Sequence, residues 1–336
     1  MNWKKYAAVF AAAMTAAAVL AGCGGTGASE QNASAAKSDG GDKVLRIAIQ
    51  PSATWAPLWY LKDTGRLEQA LKDKGITVKW TEFESGPPMN ESFAAGQQDI
   101  GVGGDVPVVA PLAKGQKNVI IAQGGKGDQT QAVVVGKDSG ITDPAQLKGK
   151  KIGITVGSSA HHMLYSLLAK YGYTLKDVDV INITAGDAET ALLNKQVDAV
   201  VFWEPNVTFL IDKGAGNFLI DQKGLPNGGG PIFATAAYAK DNQDVIKIVL
   251  QEYAKAAKEI KADPAKAAPT LAPHFHCTPE QMVKIIGEYS YPVTFGDDDA
   301  AGLQETADFL HEIGIIKKEL KVKEFIDAAT ANSLQS

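Results

Sequence analysis

Short apolar runs alternate with stretches whose apolar residues recur at helical spacing. Residues 43–50, KVLRIAIQ, are apolar and β-branched and predict a buried strand. In residues 51–75, Leu58, Leu61, Leu67 and Leu71 fall near helical spacing, and Gly75 ends the pattern. ITVKWTEF (76–83) predicts a second strand, SGPPMNESFAAGQ a turn and short helix, and QDIGVGG (98–104) a third strand. DVPVVAPLAKGQ follows as a helix, with Asp105 a plausible cap and Pro107 in its first turn. NVIIAQGG (118–125) predicts a fourth strand. The pattern then restarts. TQAVVVGK, KKIGITV, DVDVINIT, VDAVVFW and NFLI read as strands, and DPAQLKG, SAHHMLYSLLAKYG, DAETALLNKQ and EPNVTFLIDKG as helices between them. From Asp241 onward the chain reads as mostly helical. Repeated β-α units predict parallel sheets covered by helices. The expected fold class is α/β: two lobes, a hinge and a C-terminal helical region. Residues 43–127 plus 229–336 are assigned to lobe 1 and residues 128–228 to lobe 2. Gly124–Gly127 and Gly228–Gly230 are the expected hinges, because glycine absorbs large changes of φ and ψ.

The N-terminal residues read differently. Lys4 and Lys5 precede an apolar run from Tyr6 to Leu20, and Leu20-Ala21-Gly22-Cys23 follows. This layout predicts a signal peptide over residues 1–22. Its end resembles a bacterial lipobox, which makes Cys23 the lipidation site and a lipid the anchor to the membrane. A retained membrane span is the alternative, but the run falls short of ~20 residues. Residues 24–42 contain almost no large apolar side chain and predict a flexible tether. Removing residues 1–22 takes away two lysines and no acid, so the formal charge of −5 becomes −7. A mildly acidic chain without a basic cluster argues against nucleic acid. Once Cys23 is acylated, Cys277 has no disulfide partner. His274-Phe275-His276-Cys277 is too compressed for three ligands to reach one tetrahedral ion, and predicts a packed loop rather than a metal site.

Several stretches resemble a known family. Residues 80–115 (WTEFESGPPMNESFAAGQQDIGVGGDVPVVAPLAKG), 146–152 (QLKGKKI), 156–168 (VGSSAHHMLYSLL) and 197–207 (VDAVVFWEPNV) occur in the order seen in the nitrate/sulfonate/taurine group of ABC-importer binding proteins. Within that group they are most like the aliphatic-sulfonate binders. The likeness runs from about Val44 to Ile315. It implies a type II periplasmic-binding fold with a ligand in the interlobe cleft. It also implies a permease and an ATPase as partners and an extracytoplasmic location. Neither partner is part of this chain: GGKGDQT (124–130) lacks the spacing of a phosphate-binding Walker loop.

In such folds ligands sit at the carboxyl ends of strands, beside helix N-termini. Four segments qualify. In the first, Gln50 can donate and accept, Thr54 can cap, and Trp55 offers a flat wall for an alkyl chain or simply packs. In the second, Gly104 allows backbone approach, while Asp105 either caps or meets a positive ligand end. The third is Gly157-Ser158-Ser159-Ala160-His161, where a helix N-terminus and two hydroxyls suit an anion without a formal cation. His161 adds a donor or packs. His162, turned by roughly 100°, is expected at the surface or at a lobe contact. The fourth is Trp203-Glu204-Pro205, with Trp203 lining the cleft and Glu204 capping or binding an ammonium. A Ser-His nucleophile is disfavoured, because the stretch is not Gly-x-Ser-x-Gly and neighbouring helix positions diverge.

The expected function is binding of an aliphatic sulfonate for import, by a monomer without cofactor, metal or enzymatic activity. Taurine, nitrate or bicarbonate, and a thiamin pyrimidine are the alternatives within the class. A ligand-sensing receptor or a pyrimidine-synthase-like enzyme are the alternatives outside it. Taurine would use Glu204 or Asp105 for its amine, and a plain alkanesulfonate has no use for either acid.

Overall fold

The structure is a computed structural model that describes residues 43–335. The expected signal peptide (1–22), Cys23 and the tether lie outside the described residues. Two five-stranded sheets organise the chain. The first contains β1 (Lys43–Ile49), β2 (Ile76–Glu82), β3 (Ile100–Val102), β4 (Asn118–Gly125) and β10 (Gly230–Thr235), in the order β2-β1-β3-β10-β4. The second contains β5 (Gln131–Gly136), β6 (Lys151–Ile154), β7 (Asp179–Asn182), β8 (Ala199–Trp203) and β9 (Gly216–Asp221), in the order β7-β6-β8-β5-β9.

Both sheets are mixed, which corrects the expectation of parallel ones. β10 lies antiparallel between β3 and β4, and β5 lies antiparallel between β8 and β9. The run Pro231–Ala234 directly follows the expected hinge glycines Gly228–Gly230. It is a central strand whose alternate side chains serve opposite faces: Ile232 and Ala234 enter one core, Phe233 the other. Three glycines in front of a short apolar run hide its period.

Helices cover both faces of each sheet. On the first, α1 (Ala56–Thr64), α2 (Arg66–Leu71), α3 (Gly86–Ala94) and α4 (Asp105–Ala113) alternate with the strands. On the second, α5 (Ser159–Lys170) buries Met163, Leu164, Leu167 and Leu168 against Ile152, Ile154 and Val201. α6 (Ala188–Leu193) and α7 (Asn206–Asp212) cover the opposite face through Leu192 and Leu210. Asp143 does cap the segment it precedes, but that segment, Pro144–Leu147, is a single 3-10 turn. After β10 come α8 (Ala236–Asp241), α9 (Gln243–Ala262), α10 (Pro264–Leu271), α11 (Pro279–Gly287), α12 (Asp297–Glu312) and α13 (Ala329–Asn332). The α9 stripe of Val249, Leu250, Tyr253 and Ile260 belongs to the core of the first sheet, and α12 joins that sheet's other face through Leu303, Phe309 and Leu310. The first lobe is therefore built from both ends of the described chain.

Two segments cross between the lobes, residues 126–130 and 222–229. They are tied side by side: Gln222 Nε2 donates to Gly127 O at 2.7 Å and to Thr130 Oγ1 at 2.5 Å. The His274–Cys277 stretch is a packed loop, as expected. His274 lies 2.5 Å from Asp63 and stacks on Trp59, and Phe275 is buried. Among the described residues no group of three or more His, Cys, Asp and Glu side chains gathers to hold a metal.

Candidate functional site

The carboxyl ends of β1, β3, β4, β6 and β8 converge on one cleft between the sheets. Its walls include Gln50, Thr54, Trp55, Gly104, Ser158, Ser159 and Trp203, seven of the residues singled out from the sequence. The space open to the centres of water-sized groups is about 60 Å³. At ~10–15 Å³ per water on this measure, that is room for a small solute.

Two helices, one from each lobe, begin at this cleft. α4 has Gly104 as its N-cap and α5 has Ser158, and neither end is closed by a side-chain capping bond. Their first-turn N–H groups carry the positive ends of the helix dipoles. The two ends approach closely: a Cβ on Gly104 would lie 2.0 Å from Ser159 Oγ. Glycine at 104 is what permits this approach. Gly157, at φ +82°, turns the chain from β6 into α5. Ser158 is 4% exposed and its hydroxyl lacks a hydrogen-bond partner, whereas the Ser159 hydroxyl is turned towards the Asp105 carboxylate. Buried hydroxyls are rarely left unpaired, and that of Ser158 is unpaired at the wall of the cleft.

The other lining groups are already engaged. Gln50 Nε2 donates to Val102 O at 2.9 Å, and Trp55 Nε1 donates to Gly230 O at 3.1 Å. Trp55 is thus a wall anchored by the fold. Ser52, rather than Thr54, caps the short turn that follows β1, by accepting from Thr54 N. Gly125 lets that turn press onto the end of β4, since a Cβ there would lie 2.1 Å from Thr54 O.

Three candidates do not face the cleft. Asp105 is buried and accepts from Val106 N at 2.8 Å, and His162 Nδ1 lies 2.7 Å from its other oxygen. Burial alone would raise its pKa, but the adjacent His162 and the Val106 N–H hold it below the ordinary carboxylate value. Glu204 is 4% exposed, accepts from Thr208 N at 3.1 Å, and has its pKa raised by burial. It serves the start of α7. His161 packs edge-on against Phe309 at 5.6 Å, and burial together with His162 depresses its pKa to about 4, so at neutral pH it brings no charge. His162 is deeply buried at a lobe contact, not at the surface.

Residues from the crossing segments, which local sequence does not reveal, complete the cleft: Lys126, Thr130, Gln131, Asn227 and Gly229. Lys126 is the cation among the lining residues, and its Nζ pairs with Asp299 at 2.8 Å. Gln131 presents a buried oxygen without a partner, while its Nε2 donates to Gln222. Glu84 is the acid among the lining residues, and it is exposed. Those walls include no cysteine or histidine. Cys277 lies elsewhere, half-buried, its thiol pushed up by burial to about 11, the opposite of an activated nucleophile.

A two-lobed chain with a polar cleft between mixed sheets has the type II periplasmic-binding fold. It belongs to the NMT1/THI5-like family, whose model matches residues 71–267. An aliphatic sulfonates-binding protein of Bacillus subtilis is 32% identical over 313 residues, which is 92% of this chain and 91% of the relative. The taurine-binding periplasmic protein of Escherichia coli is 26% identical over 213 residues, 63% of this chain and 64% of its own. Among solved structures, the alkanesulfonate-binding protein SsuA from Xanthomonas axonopodis pv. citri, bound to MOPS, aligns with TM-score 0.78 at 26% identity over 85% of this chain and 98% of its own. The aliphatic sulphonate binding protein SsuA of Escherichia coli aligns with TM-score 0.75 at 25% identity, over 84% and 97%. The desulfurization enzyme DSZB shares the fold alone, at 16% identity and TM-score 0.65 over 87% and 98%. The family resemblance drawn from the sequence is therefore borne out.

Proposed function

We propose that this chain is the extracytoplasmic solute-binding component of an ABC importer, held to the membrane by a lipid on Cys23, and that it binds a short-chain aliphatic sulfonate. What carries the ligand class is that two helix N-termini meet without a capping bond from Gly104 or Ser158, beside the buried, unpartnered hydroxyl of Ser158 and next to the Ser159 hydroxyl. Three tetrahedral oxygens and one negative charge match such a set of neutral donors. An anion also meets the positive end of the α5 dipole, while the α4 end is partly answered by Asp105. Trp55 and Trp203 supply apolar surface for a short alkyl tail. The names carried by the relatives support the same reading.

The positions of the acids favour a plain alkanesulfonate over taurine. Asp105 and Glu204 are committed to the protein, and the remaining lining acid, Glu84, is exposed to solvent. The lobes would move about residues 126–130 and 222–229. An enzymatic reading lacks a histidine among the lining residues to activate the serine hydroxyls.

Titration calorimetry tests the proposal with ethanesulfonate, taurine, sulfate, nitrate, bicarbonate and a thiamin pyrimidine. The buffer must itself lack a sulfonate. Binding of ethanesulfonate well above sulfate and nitrate is expected; no heat with any sulfonate would refute the ligand class.

A further inference from the structure

One turn into α5, beyond the two serines and joined to Ser159 through Asp105, lies a buried polar knot outside the lining of the cleft. His162 and Asp105 are 2.7 Å apart, and each side chain is 3% exposed. Thr306 of α12 donates to the same Asp105 oxygen at 2.9 Å. Phe309, one turn further along α12, stacks on the His162 ring at 4.8 Å and 18°. It also meets His161 at 5.6 Å and Tyr165 at 4.6 Å. The Tyr165 hydroxyl donates to Glu312. His161, His162 and Tyr165 belong to the helix packed on the second sheet. Asp105, Thr306, Phe309 and Glu312 belong to helices that join the first. The knot therefore spans the lobe boundary.

We infer that Asp105, His162 and Phe309 form an interlobe latch: positioning residues that set ligand affinity by holding the lobes together, without touching the ligand. Asp105 follows Gly104, and His162 lies one turn beyond Ser158 and Ser159. Engaging the latch thus brings the two cleft-facing helix ends into register. When the lobes separate, both members of the pair regain water. When they meet, His162 is, among the described residues, the one ionisable partner of Asp105, so removing it leaves a buried carboxylate answered by neutral donors alone and makes closure harder. Affinity falls by the fraction of molecules able to close. Removing both leaves no orphaned charge.

The latch rests on the reading of a two-lobed binding protein but not on the sulfonate. Calorimetry with ethanesulfonate, sulfate and nitrate in parallel reads it on whichever anion the wild type takes. His162→Ala and Phe309→Ala should each weaken that anion by about tenfold or more, and Asp105→Ala/His162→Ala should recover a large part of the His162→Ala loss. Small-angle scattering of the ligand-free protein should show a larger radius of gyration for His162→Ala than for wild type, independently of any ligand. Thr306→Val, a nearly isosteric change, keeps the test open if His162→Ala does not fold. Affinities within about twofold of wild type for the folded variants, with an unchanged radius, would overturn the latch. So would a double variant as weak as the sum of its single changes, which is the additivity expected of sites that are not coupled.

Discussion

Two polar clusters sit one helical turn apart on α5, and they are opposites. At Ser158 the hydroxyl is buried without a partner, and that of Ser159 meets nothing but the edge of the Asp105 carboxylate. At His162 the ring nitrogen meets Asp105, which also accepts from Thr306 and Val106. Both clusters are polar and both border the gap between lobes. What separates them is satisfaction. A buried group whose hydrogen bonds are complete belongs to the structure, whereas one left unpaired at the wall of a cleft is open to a partner from outside. The same test sorts the acids, since Glu204 is answered by Thr208 N.

The comparison is broken most directly at the serines. Ser158→Ala with Ser159→Ala should weaken ethanesulfonate by about 100-fold, from the loss of two hydrogen bonds to a charged group at ~1.5 kcal/mol each. The melting temperature of the single variant Ser158→Ala should stay within about 2 °C, because the fold does not use that hydroxyl. Calorimetry and thermal melting read the two effects side by side. Next in size is Trp203→Ala, which should cost about tenfold for a longer alkanesulfonate and less for methanesulfonate, as ~1.4 kcal/mol of apolar contact is lost with the chain. An equal loss for both ligands would assign Trp203 to the headgroup instead. Smaller still, ethanesulfonate should bind at least as tightly as taurine in competition. Glu204→Gln should leave both within about twofold, as befits a group bonded to its own helix. A taurine preference abolished by Glu204→Gln would place the acid back in the cleft.

The smallest effect concerns pH. Glu288, half-buried in α11's wake, has its carboxyl raised by burial and by neighbouring Glu204 from the ordinary 4.5 to about 7. The folded state then holds its proton to higher pH than the unfolded state. Stability from this group is full below about 4.5, declines as pH rises to about 7, and is level above. Differential scanning fluorimetry should show Glu288→Gln gaining on wild type across that window.

The expectation of two α/β lobes rested on strands such as Lys43–Ile49 and Ala199–Trp203, whose apolar runs are local and bounded by turns. The strand-end rule then located Gln50, Trp55, Gly104, Ser158, Ser159 and Trp203 at the cleft. Local pattern has less to say about direction. Whether Asp105 or Glu204 turns inward depends on His162 and Thr306 in one case and on the turn of α7 in the other. Lys126, Gln131 and Asn227 reach the cleft because two crossings run side by side, an arrangement set by Gln222 and absent from any window of neighbouring residues. The glycine run before β10 concealed a strand for the same reason: its pairing partners lie more than a hundred residues earlier.

That late strand also orders the birth of the molecule. All five strands of the second sheet lie within residues 131–221, so they are present once that stretch has been synthesised. The first sheet starts earlier and finishes later. Its β4 is joined to the rest of the sheet only through β10, and α9 and α12 follow after that. A growing chain therefore carries an unfinished N-terminal lobe while the inserted lobe can already fold. The long sequence separation of the β4–β10 pairing makes its closure slow. The last lobe to mature is the one that was begun first, and the cleft exists only when it is done.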